Sequence, residues 1–117
     1  MKVLLTGATG FLGKYVIDEL KSNNYKVIAF GRNEKIGKTL VDKNVEFYKG
    51  DIENLDDLFR ASEGCSAVIH AAALSTVWGK WEKFYNINVL GTENIIRLCE
   101  EKKLKLVFVS SPSIYAG

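Results

Sequence analysis

The sequence predicts an α/β fold, a doubly wound parallel sheet covered by helices on both faces, with the strand order 3-2-1-4-5. Short apolar segments of strand length alternate along the chain with segments of helical periodicity. Strands that are apolar on both faces are typical of parallel sheets covered on both sides. The right-handed crossover rule then restricts the order of the strands to that of a doubly wound sheet.

The apolar segments predict five strands, and the helical periodicity predicts the elements between them. The strands are expected at Val3–Leu5, Lys26–Phe30, Val45–Tyr48, Ala67–His70 and Lys105–Val109. Helices are expected after Gly13 as far as Asn23-Asn24, at Ile36–Val41, after the N-cap Asn54, and at Trp81–Glu101. The chain contains no internal repeat or linker, so its 117 residues are expected to form one domain.

Composition excludes several classes of protein. A hydrophobic content of 47% argues against disorder, and a net charge of +2 with scattered basic residues does not indicate nucleic-acid binding. Cys65 and Cys99 suggest neither a disulfide scaffold nor a metal site, so reduced thiols and a cytoplasmic location are expected. No segment approaches the ~20 apolar residues of a membrane span, and the apolar run after Met1 is too short for a signal peptide.

The most informative segment is the glycine-rich turn Thr6–Gly13, which lies between the first strand and the first helix. Gly7 can adopt the φ values of a tight turn, Gly10 allows the backbone to approach a phosphate closely, and Gly13 lets the helix pack near its strand. The start of the helix adds N–H groups and a positive dipole end. This variant of the G-x-G-x-x-G pattern predicts that a dinucleotide pyrophosphate binds here.

The end of the second strand bears on which dinucleotide binds. An acidic residue is expected about twenty residues after the glycine turn when the adenosine ribose keeps its free 2′-hydroxyl. The chain has Gly31 at this position, followed by Arg32. Without the carboxylate a 2′-phosphate is not repelled, and a guanidinium can pair with it. The sequence therefore favours NADP over NAD.

Five motifs in order resemble a known family. They are the Thr-Gly-x-x-Gly-x-x-Gly turn, Gly50-Asp51-Ile52, His70-Ala71-Ala72-Ala73, Asn88-Val89-x-Gly91-Thr92 and Ser110-Ser111-x-x-Ile114-Tyr115. Together they resemble the N-terminal, Rossmann-type part of an extended short-chain dehydrogenase/reductase of the NAD-dependent epimerase/dehydratase group. The segment 73–88 is most similar to the 3β-hydroxysteroid and sterol dehydrogenase branch, with dihydroflavonol reductases as close neighbours.

The resemblance implies roles for individual residues. Ser111 would be the catalytic serine, whose hydroxyl donates to the substrate carbonyl. Asp51 and Ile52 would contact the adenine ring, and Asn88 would tie its helix to strand four or join a proton relay. His70 is expected to be a core histidine and receives no role. Together with the residues of the preceding paragraphs, the expected cofactor-binding set is Gly7, Thr9, Gly10, Phe11, Leu12, Gly13, Arg32, Asp51, Ile52, Ala71, Ala72, Ala73 and Asn88.

The proton-donating Tyr-x-x-x-Lys motif of the family does not occur in these 117 residues. The sequence is therefore expected to be the NAD(P)-binding N-terminal part, residues 1–117, of a longer enzyme and to be inactive alone. Apolar side chains of strands four and five would then be partly exposed, either Val68, Leu106 and Phe108 or Val107 and Val109. Self-association as a homodimer through that face is expected.

The function that these observations favour is hydride transfer between a nicotinamide cofactor and a secondary alcohol or ketone. The aromatic residues Trp78, Trp81 and Tyr85 suit a sterol-like or other apolar substrate, although core packing explains them as well. Two alternatives remain open at this point: a nucleotide-sugar epimerase or dehydratase, and a non-catalytic regulator that senses dinucleotides. A phospho-receiver domain is disfavoured because Thr6-Gly7 stands where its aspartate would lie.

Overall fold

The computed structural model describes residues 1–10, 12–72 and 90–110, which form a five-stranded parallel sheet with the order β3-β2-β1-β4-β5. The predicted fold class and strand order are confirmed. The strands are β1 (Lys2–Thr6), β2 (Lys26–Gly31), β3 (Val45–Lys49), β4 (Ala67–Ala72) and β5 (Lys105–Ser110). The described helices are α1 (Gly13–Ser22), α2 (Glu34–Leu40), α3 (Leu55–Ala61) and α4 (Gly91–Lys102).

Two apolar clusters cover the two faces of the sheet, because successive side chains of a strand point to opposite faces. On one face Leu5 and Ala29 pack with Ile17 of α1. On the other face Leu4 and Phe30 pack with side chains of α3 and α4, among them Leu58, Ile95 and Leu98. Burial on both faces explains why the strands read as continuous apolar runs in the sequence.

Helix ends follow the capping residues of the sequence. The side chain of Asn54 accepts a hydrogen bond from the Asp57 N–H, which confirms the predicted N-cap of α3. Asn33 caps α2 in the same way, so this helix begins at Glu34, two residues before the predicted start. After α1, Asn24 adopts a positive φ of 64°, as expected for the residue that ends that helix.

Two differences from the sequence-based prediction concern β4. Ala71 and Ala72 were expected after the strand but belong to it, because they pair with Val109 and Ser110 of β5. Val68 belonged to one of the two alternative sets of residues expected to be partly exposed, but the α3 and α4 side chains bury it completely. For the predicted long helix, residues 81–89 lie outside the described residues and the described part begins at Gly91.

The described helices include none that is long and apolar enough to cross a membrane. Within the same residues, no group of three or more His, Cys, Asp or Glu side chains is arranged to hold a metal ion.

Candidate functional site

A cleft of about 270 Å³ lies at the carboxyl ends of β1, β2 and β3, lined by residues 7, 9–10, 30–33 and 50–52. These are the glycine turn after β1, the end of β2 with its following turn, and the loop after β3. A larger cavity of about 620 Å³ lies beside the end of α3 and the first residue of β1. Because ligands of open α/β sheets bind outside the carboxyl ends of the strands, the smaller cleft is the candidate site.

The glycine turn is held by close approaches between backbones. Gly7 has a φ of +73°, and a Cβ added to it would overlap the carbonyl oxygen of Ala71 in β4. A Cβ on Gly13 would overlap the carbonyl oxygen of Ala8, so this glycine lets the start of α1 lie against the backbone of the turn. Its role in packing α1 near β1 stays a prediction. The approach of Gly10 to a phosphate stays a prediction.

Hydrogen bonds of the backbone shape the turn as it leads into α1. The Gly10 N–H donates to the Gly7 carbonyl at 3.0 Å, and the Gly13 N–H donates to the Gly10 carbonyl at 3.2 Å. The Ala8 N–H donates to the Phe30 carbonyl and so joins the turn to β2. Among the described residues, no side chain caps α1 and no acidic residue lies in its first turn. The positive end of the α1 dipole therefore follows the turn without a neutralising carboxylate.

At the end of β2, Gly31 occupies the position at which an acidic residue would favour NAD. A Cβ on Gly31 would lie 2.9 Å from the Thr9 hydroxyl oxygen, so a side chain here would require Thr9 to move. The next residue, Arg32, is exposed, and its Nη1 lies 3.9 Å from Asp51 Oδ2. Arg32 and Asp51 belong to separate motifs in the sequence, whereas the fold places them together across the mouth of the cleft.

The loop after β3 forms the opposite wall. Its backbone is held by carboxylates: the Asp51 N–H donates to Asp57 Oδ2 at 3.1 Å, and the Glu53 N–H donates to Asp51 Oδ1 at 2.9 Å. Asn94 of α4 donates from Nδ2 to the Ile52 carbonyl at 2.9 Å and to the Glu53 carbonyl at 3.0 Å. Sequence reasoning missed Asn94. The available signal was its position three residues after Gly91, on the same side of the helix.

His70 lies beside the site as a buried and hydrogen-bonded residue. Its Nδ1 is 2.6 Å from the Thr6 hydroxyl, and its Nε2 is 3.4 Å from the Thr92 hydroxyl. The ring also packs edge-on against Phe108. Burial lowers the pKa of His70, so the neutral form is favoured. The interpretation of His70 as a core histidine is confirmed.

The remaining predicted residues lie in β4, at the start of α1 or outside the described part of the chain. Ala71 is buried in β4, where its carbonyl lies against Gly7, and Ala72 follows it in the strand. Leu12 immediately precedes α1. Outside the described residues lie Phe11, Ala73, Trp78, Trp81, Tyr85, Asn88 and Ser111.

Comparison with known proteins identifies the family. Residues 3–117 match the model of the "NAD dependent epimerase/dehydratase family". The chain belongs to this family. The resemblance drawn from the five motifs is therefore confirmed, and the match covers nearly the whole chain.

Family members with similar sequences include enzymes of two kinds. The chain is 37% identical over 120 residues to a 2-alkyl-3-oxoalkanoate reductase of Shewanella oneidensis, covering 97% of this chain and 29% of that protein. It is also 37% identical over 117 residues to a decarboxylating sterol-4-alpha-carboxylate 3-dehydrogenase of Dictyostelium discoideum, covering 96% of this chain and 36% of that protein. The chain thus spans about a third of the length of these relatives.

Solved structures of similar proteins show the same fold. A UDP-glucose 4-epimerase of Thermus thermophilus, solved in complex with NAD, superimposes with a TM-score of 0.78 at 26% sequence identity. The match covers 92% of this chain and 37% of that structure. The match supports the doubly wound architecture of this chain.

Proposed function

We propose that this chain is the dinucleotide-binding part of an oxidoreductase that interconverts a secondary alcohol and a ketone. The cleft at the carboxyl ends of β1–β3 carries the proposal, because it combines the glycine turn, an exposed arginine and the apolar side chain of Ile52. The names of the similar reductase and sterol dehydrogenase support the reaction class and a sterol-like or other apolar substrate. The compartment stays a prediction, with the cytoplasm expected.

The residues present fit a nicotinamide dinucleotide. The turn has no side chain at Gly7, where a Cβ would overlap β4, and it leads directly into the uncapped start of α1. The turn Gly7–Gly13 would hold the pyrophosphate with the help of the Thr9, Phe11 and Leu12 N–H groups, because the N–H groups of Ala8, Gly10 and Gly13 already donate to backbone carbonyls. Asp51 and Ile52, which line the same cleft, would contact the adenine ring. When bound, the nicotinamide group supplies the hydride acceptor or donor.

We further propose NADP as the preferred dinucleotide, with Arg32 pairing with its 2′-phosphate. Arg32 is 55% exposed at the rim of the cleft, and its ion pair with Asp51 is long. Long exposed pairs contribute little free energy, so the guanidinium can turn toward a phosphate at low cost. Gly31 leaves no carboxylate at the end of β2 to repel that phosphate.

The catalytic step is proposed to depend on Ser111, which follows the end of β5 in the chain. Its hydroxyl would donate a hydrogen bond to the substrate carbonyl oxygen and stabilise the negative charge that develops during hydride arrival. Ala71, Ala72 and Ala73 would leave room for the cofactor at this edge of the sheet, and Asn88 would tie its helix to β4.

Calorimetric titration of the 117-residue chain with NADPH and with NADH tests the cofactor proposal. Arg32→Ala is compared with Lys43→Ala, which removes the same charge from an exposed residue just before β3, at the opposite end of the sheet. Loss of a charge-assisted hydrogen bond costs about 1.5–3 kcal/mol, so Arg32→Ala should weaken NADPH binding roughly 10- to 100-fold. NADH binding should change far less, and Lys43→Ala should change neither.

Two results would contradict the proposal at different levels. Equal weakening of NADPH and NADH by Arg32→Ala, or tighter binding of NADH by the unchanged chain, would remove the preference for NADP. If the chain melts cooperatively but binds neither dinucleotide, the proposal that it binds dinucleotides is contradicted.

A homodimer is proposed from the exposed apolar residues of β5. Val107 and Phe108 are 48% and 53% exposed on the edge strand of the described sheet, while Leu106 and Val109 are half-buried. Exposed apolar side chains such as these favour burial against a second copy of the chain. Sedimentation velocity should show a dimer at high concentration that Val107→Lys weakens. One species of monomer mass at every concentration would contradict it.

A further inference from the structure

The β3–α3 loop, residues 50–54, is a wall of the cleft whose position depends on another element. Asp51 and Ile52 line the cleft, and both are only half-buried. Such a loop needs contacts with other elements to keep one conformation, because the conformational entropy of its backbone favours many conformations. The outside contacts include two from the first turn of α4, which lies about forty residues later in the chain.

The first contact is a double hydrogen bond from one side-chain amide. Asn94 Nδ2 donates to the Ile52 carbonyl at 2.9 Å and to the Glu53 carbonyl at 3.0 Å. An amide group has two N–H donors, and here both are directed at consecutive carbonyls of the loop. Two bonds to neighbouring peptide groups restrict the rotation of the backbone as well as its distance from α4.

The second contact is a close approach between Gly91 and the side chain of Ile52. A Cβ added to Gly91 would lie 2.7 Å from Ile52 Cγ1, and it would overlap Cδ1 at the tip of the same side chain. Gly91 is buried in the first turn of α4. The missing side chain at Gly91 therefore provides the space in which Ile52 is seated.

We propose that Asn94 is a positioning residue for dinucleotide binding, acting with Gly91 to hold the loop so that Asp51 and Ile52 face the adenine end of the cleft. The inference rests on the proposed function, since the cleft is taken as the dinucleotide site. Asn94 itself is not among the residues that line the cleft, so its effect on a ligand passes through the loop.

Amide hydrogen exchange of the ligand-free chain tests the positioning step by itself. Asn94→Leu removes the donors at similar volume, and Asn94→Asp removes them while adding a charge. In both variants the Glu53 and Asn54 amides, which donate within the loop, should exchange about tenfold faster or more, as expected when a local opening becomes easier. The Ala8 amide in the glycine turn should be unchanged. Unchanged protection of the loop in both variants would overturn the inference, whatever the chain binds.

Titration with AMP and with NADH then tests the effect on binding. Both Asn94 variants should weaken the binding of AMP and of NADH by the same factor, about fivefold, because the affected contacts are those with the adenine end of each ligand. The control is Lys102→Met, which breaks the contacts of α4 with the Phe59 carbonyl and the Ser62 hydroxyl at the other end of the helix. It should lower the melting temperature and leave both affinities unchanged.

The outcomes separate the two proposals. If the unchanged chain binds neither AMP nor NADH while Asn94→Leu speeds loop exchange, the proposed function fails and the link between loop and binding falls with it. If the unchanged chain binds both and Asn94→Leu binds equally well, the inference alone fails. A loss seen only with Asn94→Asp would assign the effect to its charge, which also overturns positioning.

Discussion

The glycine turn and the β3–α3 loop form two walls of one cleft, but they are held in different ways. The turn is defined by its backbone: Gly7 at positive φ lies against the Ala71 carbonyl, and the N–H groups of the later glycines bond to carbonyls three residues earlier. The loop is held by side chains, from Asp57 in α3 and from Asn94 in α4. Asn94 lies 42 residues beyond its partner Ile52 in the chain.

Both walls carry a sequence motif, Thr6–Gly13 in the turn and Gly50-Asp51-Ile52 in the loop, but only for the turn does the motif also show how the wall is held. A turn that depends on the absence of side chains must carry glycines at set spacings, so its requirement is visible within a short run of consecutive residues. A loop that depends on a distant donor leaves a single asparagine on a helix, which has no special appearance in the sequence. The two walls should also respond differently to substitution.

The largest effect is expected at Gly7, where the cost of close contact with β4 can be separated from the cost of a positive φ. Gly7→Ala should lower the free energy of unfolding by about 3 kcal/mol, because it combines positive φ with overlap of the Ala71 carbonyl. Gly64→Ala is the matched control: its φ is +80°, but the nearest atom to an added Cβ is 3.8 Å away, so about 1 kcal/mol is expected. Urea denaturation measures both. Equal losses would show that close approach to β4 does not contribute.

A smaller effect is expected at the contact between α4 and the loop. Gly91→Ala should destabilise the chain by about 1–2 kcal/mol, because its Cβ meets the Ile52 side chain. In an Ile52→Ala background that cost should vanish or reverse, since alanine is favoured over glycine in a helix by about 1 kcal/mol. Thermal and urea unfolding of the four chains give the coupling free energy. The same cost in both backgrounds would show that Ile52 is not seated against Gly91.

The smallest expected effect concerns His70, which connects the end of β1 with the start of α4. It bonds to Thr6, just before the turn, and to Thr92 in the first turn of α4. Burial lowers its pKa in the folded state, so below about pH 6.5 the unfolded chain binds the extra proton first. Stability should therefore fall as pH is lowered from about 7.5 to about 5.5, by less than about 1.4 kcal/mol per pH unit, the limit for one proton.

His70→Gln provides the control for this pH dependence. His70 is the single histidine of the chain, so its replacement should flatten the stability profile in that window. Urea unfolding at a series of pH values measures the slope. An equal slope in both chains would assign the pH dependence to other groups and would leave His70 a purely packing residue.

Much of the fold could be predicted because its determinants are local. Apolar runs predicted the five strands, and Asn54 was recognised as a helix cap from its residue type. The errors fall where a neighbouring element decides. Ala71 and Ala72 are strand residues because β5 pairs with them. Val68, which one of the two alternatives left exposed, is buried because α3 and α4 cover it. Neither neighbour is visible from the local pattern.

The sequence by itself determined the order of the elements, the doubly wound sheet and the glycine turn. Periodicity and missing side chains are local properties, so they can be read before any packing is known. Only the tertiary structure decided that Arg32 meets Asp51 across the cleft, that Thr9 occupies the space beside Gly31, and that Asn94 holds the opposite wall. These contacts join residues on different elements, so they exist only after packing has brought the carboxyl ends of the strands and the start of α4 together.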